Sequence, residues 1–389
     1  MIKNLIAKQK AKGQLLNAFK TAEIGVERKF NDTTRFIYPK IQDVRFNYEK
    51  KTLTYVFTLP YGVDPKILKK KEYVFQQFFS KNIEIKGEIK TFTLTIFTQT
   101  LPSTVKYDYK KMNLKGKLPI PVGLDKNGEF YFYELSTHPH LLLAGETGSG
   151  KSTEVRSIIT SLIQYKAPSS LHLFLCDLKM GDFHIFRNVE HVKSFDTNAN
   201  ELKLTLTKLK AEMTKRGKKL LEHEVSHIDD LPSKLPYIIL AIDEVALLKK
   251  EKECMDIIEQ ISSIGRSLGV FLILSMQRPD AKLLDGKLKV NLTVRMAFRC
   301  SDGINSRIVI DKVGAEKLDQ TGRMLLKIQG ERDLKEIQAP YLSIDKAKEI
   351  LESYKVVKVE AVENQECDSL EGTSEESDSI FGVLDDEKA

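Results

Sequence analysis

One stretch limits the folds open to this chain more than any other. It runs Gly145-Glu146-Thr147-Gly148-Ser149-Gly150-Lys151-Ser152 and satisfies G-x-x-x-x-G-K-[ST] at each fixed position. Leu141, Leu142, Leu143 and Ala144 precede it, a short apolar run of the kind that forms a buried parallel strand. After Thr153, the residues Val155, Ile158, Ile159, Leu162 and Ile163 recur at helical spacing. The motif therefore sits between a strand and a helix. Glycines there let the backbone turn tightly and aim successive N–H groups inward. With the start of the following helix, those groups make a nest for phosphate. Gly145 to Thr153 are accordingly expected to bind ATP. Lys151 is placed to neutralise the β- and γ-phosphates, and the Ser152 hydroxyl to ligate Mg2+.

Two later strands end in polar groups suited to the same chemistry. Ile238 to Ile242 is an apolar run closed by Asp243 and Glu244. In an open parallel sheet the carboxyl ends of the strands share one edge, so this pair is expected beside the phosphate loop. Asp243 is assigned to the Mg2+ hydration shell, and Glu244 to orienting and deprotonating an attacking water. Leu272 to Ser275 leads in the same way to Met276 and Gln277, and Gln277 is assigned as a sensor of the γ-phosphate.

Alternating strands and helices from Leu118 onward predict an α/β domain over 118–356, a mostly parallel sheet covered on both faces. A small α+β unit is expected over 36–117, with strand-like alternation around Leu53 to Leu59 and helical periodicity from Asp64 to Ser80. Residues 1–35 read as an N-terminal basic segment, helical over 1–29, that caps the next domain. After residue 356 the chain becomes rich in Ser, Glu and Asp, which predicts an acidic disordered tail over 357–389. Its one apolar island, Ile380 to Leu384, has the makings of a docking peptide.

The net charge of +7 hides a polarity: residues 1–140 carry 25 basic and 13 acidic side chains, residues 359–389 one basic and 11 acidic. A basic body with an acidic tail recurs in nucleic-acid-binding proteins, and a solvated lysine-rich surface gives the same totals. No run reaches the roughly 18 apolar residues of a membrane span. Cys176, Cys254, Cys300 and Cys367 lack paired spacing, which fits a reducing cytoplasm.

Six stretches together carry a family resemblance: PHLLLAGETGSGKS, DLKMGDF, LPYIILAIDEVALL, GRSLGVFLILSMQRP, VRMAFRCSDGINSRIVID and GAEKL. In this order over Leu118 to about Leu351, the chain resembles the motor domain of the FtsK/SpoIIIE family of DNA translocases. The resemblance implies a RecA-like P-loop NTPase core that works as a homo-hexameric ring around DNA, preceded by a small α-subdomain similar to Thr54–Leu118. It implies a trans-acting arginine finger at Arg307, with Arg266 and Arg216 as further candidates. It also implies DNA contacts near the ring axis, where Lys312, Lys317, Arg323 and Lys327 fall, tracking phosphates without reading bases.

Departures refine the expectation. Membrane-anchored members begin with transmembrane segments and chromosomal members end in a winged-helix module; this sequence shows neither. The likeness is therefore drawn to the short translocases of conjugative plasmids and integrative elements, cytoplasmic proteins that reach the membrane through a channel or relaxosome partner, with the acidic tail as the proposed contact. A partition or packaging motor, and a slow ATP-binding assembly protein, stay open as alternatives.

His223-Glu224-Val225-Ser226-His227 matches HExxH, but no further histidine follows it to complete a zinc site, so zinc hydrolysis is argued against. His138-Pro139-His140 is read as packing at a strand entry rather than as a metal site.

Overall fold

Ten strands form one sheet, and the phosphate-loop strand Leu141–Ala144 lies inside it. The order across the sheet is Val192–Asp196, Leu171–Asp177, Tyr237–Asp243, Val270–Met276, Leu141–Ala144, Val294–Ala297, Arg323–Ile328, Lys335–Gln338, Pro119–Leu124 and Phe130–Glu134. The first six run parallel and the last four pair antiparallel. Consecutive side chains on a strand face opposite sides. Every residue of Leu141–Ala144, Tyr237–Asp243 and Val270–Met276 is buried, so helices and loops cover both faces of the central sheet. That is why these strands read as unbroken apolar runs instead of alternating ones.

The structure, a computed structural model, describes residues 2–30, 33–49, 51–97, 100–284 and 286–356. By contact the chain divides into Met1–Lys355 and Val356–Ala389. The expectations for the tail over 357–389, including the Ile380–Leu384 island and Cys367, lie outside the described residues.

The helices follow from the apolar spacing. Lys151–Tyr165 buries Val155, Ile158, Ile159, Leu162 and Ile163, the positions that repeat at helical intervals. Ala199–Glu222 starts at Asn198, whose side chain accepts from the N–H groups of Asn200 and Glu201 and satisfies two of the helix's unpaired donors. The helix ends before His223, and Glu224 takes a left-handed φ of 54°. The two histidines of the HExxH match therefore share no helical face. His140 is fully buried at the entry to the phosphate-loop strand, where its Nδ1 accepts from Leu272 N at 3.1 Å. Burial pushes its pKa down to about 4.

A second hydrophobic core lies in the N-terminal part. A four-stranded antiparallel sheet, ordered Lys40–Asn47, Thr52–Thr58, Thr91–Phe97 and Ile83–Gly87, packs with helices Ile2–Thr21 and Glu72–Phe78. Phe19 of the first helix meets Phe57 and Phe75 with ring centroids 4.9 and 5.8 Å apart, edge to face. The helix expected over 1–29 stops at Thr21. Glu23 turns left-handed, with φ 53°, and Val26–Phe30 then pairs with Thr33–Ile37. Gly25 is needed at this turn, because a Cβ there would come within 2.3 Å of the Phe36 ring.

Candidate functional site

The carboxyl ends of three adjacent parallel strands, Tyr237–Asp243, Val270–Met276 and Leu141–Ala144, bring the expected residues together. Gly148 and Gly150 hold left-handed φ values of 78° and 102°, which lets the loop curl over the start of the Lys151–Tyr165 helix. A Cβ on Gly150 would lie 2.6 Å from Gly322 N, so glycine is also needed for the loop to pack on the Thr321–Gly322 turn. Gly322 N donates to Ser149 O at 2.8 Å and locks that contact. On the other side, Gly145 N donates to Met276 O at 3.2 Å and Glu146 N to Arg299 O at 3.0 Å.

Lys151 is 4% exposed, and its Nζ donates to Asp243 Oδ1 at 3.2 Å and to Ser275 Oγ at 3.0 Å. Ser275 Oγ donates in turn to the same Asp243 oxygen. The buried ammonium is thus paired and hydrogen-bonded, as a buried charge must be. Glu244 is 5% exposed and takes a left-handed φ of 59°. Its carboxylate accepts Gln277 N at 3.1 Å on both oxygens and Lys179 Nζ at 2.7 Å on Oε2. A cavity of about 270 Å³ lies between the phosphate loop, Gln277 and Thr321, lined by Glu146, Thr147, Gly148, Gly150, Lys151, Ser152 and Thr153. A second cavity, of about 470 Å³, shares Gly150, Thr153 and Thr321 and is closed by Ser103, Gln338 and Tyr341.

The Ser152 hydroxyl and the Asp243 carboxylate are hard oxygen donors, a set that fits Mg2+ bound alongside phosphate. Bound there, the ion would neutralise phosphate charge. Among the described residues no group of three or more His, Cys, Asp or Glu is placed to hold a metal by itself.

The arginines separate into distinct environments. Arg307 lies on the helix Gly303–Ile310, capped by Asp302; it is exposed and has no side-chain partner among the described residues. Arg216 is 1% exposed, and its guanidinium is spent on Glu212, Leu268 O and Pro236 O at 2.8 to 2.9 Å. It braces the amino ends of two strands, so it is no finger. Arg266 precedes the strand Val270–Met276 and bonds to Ser136 O at 3.2 Å, at the opposite end of the strands from the phosphate loop. Arg299, absent from the sequence reading, bonds Glu146 of the phosphate loop through Nε.

The four expected DNA contacts do not form one free stripe. Lys317 is exposed with no side-chain partner among the described residues, and Lys312 donates only to Arg332 O at 2.9 Å. Lys327 pairs with Asp311, which also takes Lys289 at 2.8 Å and Arg295 at 2.9 Å. Partial burial pushes the Asp311 carboxyl up, but Lys289, Lys327 and Arg295 outweigh it and hold it well below the usual range. Arg323 is the clear correction: it is 9% exposed and bonds Gln338 Oε1, Glu336 Oε1 and the carbonyls of Leu101 and Pro102. With four of its five N–H donors engaged inside the protein, this buried guanidinium is built as an internal tie and not as a DNA-phosphate contact.

A mostly parallel sheet with a G-x-x-x-x-G-K-S loop inside it, a buried Asp-Glu pair at the end of the next strand but one and a glutamine at the end of the strand between them defines a P-loop ATPase. Residues 107–234 match the model of the FtsK/SpoIIIE family, the family that the six sequence stretches resemble. It is 34% identical over 252 residues to the DNA translocase FtsK of Helicobacter pylori, 62% of this chain and 29% of that protein. It is 32% identical over 259 residues to the FtsK of Staphylococcus epidermidis, 62% of this chain and 32% of that one. The match thus spans about a third of the length of these relatives. Among solved structures, the fold is similar to the pCW3 conjugation coupling protein TcpA, solved as a monomer with ATPgS, over 88% of this chain and 99% of that one, with a TM-score of 0.61 and 23% identity. It is also similar to the cytoplasmic domain of the Thermomonospora curvata type VII secretion ATPase EccC, over 64% of this chain and 33% of that one, with a TM-score of 0.57 and 25% identity. No helix among the described residues is long and apolar enough to cross a membrane.

Proposed function

We propose that this chain is the ATP-hydrolysing motor of a DNA translocase, active as a ring of six subunits and moving DNA for the conjugative transfer of a mobile element. The observation that carries the hydrolytic part is the meeting of the phosphate loop, Asp243, Glu244 and Gln277 at one sheet edge. In this reading the loop N–H groups and Lys151 hold the phosphates, and the larger cavity beside Gly150 and Thr153 receives the nucleoside. Lys151 leaves Asp243 for the γ-phosphate, and Glu244 takes the proton of the attacking water. Gln277, whose backbone N–H already touches Glu244, reports the loss of the γ-phosphate.

The exposed Arg307 supports a finger that acts on the next subunit's nucleotide, since among the described residues no group of its own chain claims it. The FtsK relatives and the fold shared with a conjugation coupling protein support DNA as the cargo and conjugation as the setting. A channel or relaxosome partner, met through the acidic tail, belongs to the same reading. The test is the ATPase rate with and without duplex DNA. Stimulation by unrelated sequences alike supports a translocase, and a slow rate indifferent to DNA would leave an ATP-binding assembly protein in its place.

A further inference from the structure

We propose that Lys179 is a positioning residue for turnover: it holds Oε2 of Glu244, so that Oε1 is the oxygen presented to the attacking water. The inference rests on the reading of Glu244 as the general base.

Asp177 and Asp243 stand opposite each other in neighbouring parallel strands. The chain leaving each strand end therefore starts from the same edge, which brings Lys179 across to Glu244. The segment that carries Lys179 is pinned twice. Asp177 is fully buried, and its two carboxylate oxygens accept Gly181 N at 3.1 Å and Phe183 N at 3.0 Å, folding residues 178–183 back on the strand end. Asp182 takes Arg156 at 3.2 Å, and Arg156 belongs to the helix that follows the phosphate loop. Arg156 is itself fixed, donating to Leu342 O at 2.8 Å. Strand end and phosphate-loop helix thus set where Lys179 stands.

Its Nζ lies 2.7 Å from Glu244 Oε2, a short charge-assisted bond. Among the described residues, the other donor to that carboxylate is Gln277 N, shared between the two oxygens at 3.1 Å. One shared N–H would let the carboxylate swing about its last torsion, where sp³–sp² rotation is broad. Lys179 removes that freedom. It also leaves Oε1 with fewer partners than Oε2, and so with the open acceptor site. A base displaced by about 1 Å can lose roughly 100-fold in rate, while nucleotide affinity, which depends on the phosphate loop, is untouched.

The experiment compares wild type, Lys179→Ala, Lys179→Arg, Glu244→Gln and the double variant Lys179→Ala/Glu244→Gln, all in the full chain. It measures kcat for ATP and the Kd of ATPγS. Lys179→Ala should lose roughly 10- to 100-fold in kcat at unchanged Kd, and Lys179→Arg should recover most of it. On the Glu244→Gln background, removing Lys179 should cost nothing further, because the group it positions no longer acts. The inference is overturned alone if Glu244→Gln is inactive while Lys179→Ala turns over within twofold of wild type. It is overturned too if Lys179→Ala weakens ATPγS binding as much as it slows turnover, or if the two losses multiply. Wild-type turnover by Glu244→Gln would bring down the reading of the base itself, and the inference with it.

Discussion

Arg323 was expected on the DNA path, and the structure makes it a structural tie; replacing it with alanine separates the two. Its guanidinium makes four hydrogen bonds, to Gln338, Glu336, Leu101 O and Pro102 O. The Gln338 side chain is 2% exposed, so its oxygen would be left buried without a donor, at a cost of about 1–3 kcal/mol. Glu336 keeps Lys126 at 3.1 Å, so its charge would not be orphaned. That holds the loss to the low end of the usual 3–5 kcal/mol for breaking a buried pair, or about 3 kcal/mol in all. For a chain of this size, with about 2.1 cal/mol/K of unfolding entropy per residue, the melting midpoint should fall by roughly 4 °C. The assay is a thermal melt run beside a salt titration of DNA binding. A true phosphate contact would lower the slope of log K against log salt by about one unit and leave Tm alone. The structure predicts the reverse, a lower Tm and an unchanged slope. An unchanged Tm with a reduced slope would refute the reasoning.

Two further outcomes follow from single residues. Arg307→Ala should bind ATP normally and lose turnover by about 10³-fold, and mixing it with Lys151→Ala subunits should restore some activity; no rescue in confirmed mixed assemblies would count against a site shared between subunits. Asp311 is held ionised by Lys289, Lys327 and Arg295, so its folded-state pKa lies below its unfolded value. Its contribution to stability is present above the unfolded value of about 3.9 and lost as pH falls through the folded one. Asp311→Asn keeps the left-handed φ of 60° tolerable and should lower stability at neutral pH while flattening its acid dependence; parallel urea curves at pH 7 and pH 3 check this.

The nucleotide site was legible because its chemistry is written in contiguous strings at strand ends. A G-x-x-x-x-G-K-S loop and an apolar run closed by Asp243 and Glu244 can meet at one edge of a parallel sheet, and they do. Partners brought in from distant segments were not legible. Lys179 sits in a stretch that carried the family resemblance, yet nothing in its spacing says that it crosses to Glu244, 65 residues away. Charge misled where burial decides. Arg323 opens the strand Arg323–Ile328, and Arg216 sits on the buried stripe of a helix that is otherwise rich in exposed lysines. A count of basic residues gives both the same weight as the exposed Lys317. The N-terminal helix was overextended for a local reason, since no proline marks its end and a left-handed Glu23 breaks it instead.

The most direct test of the account is displacement of a third strand from duplex DNA by the wild-type chain and by Glu244→Gln, with ATP binding measured in parallel. The account predicts that wild type strips the third strand only when ATP is hydrolysed, from unrelated duplexes alike, and that Glu244→Gln binds ATP as tightly yet leaves it in place. Displacement by Glu244→Gln at the wild-type rate, or a wild type that hydrolyses ATP without moving along DNA, would contradict it.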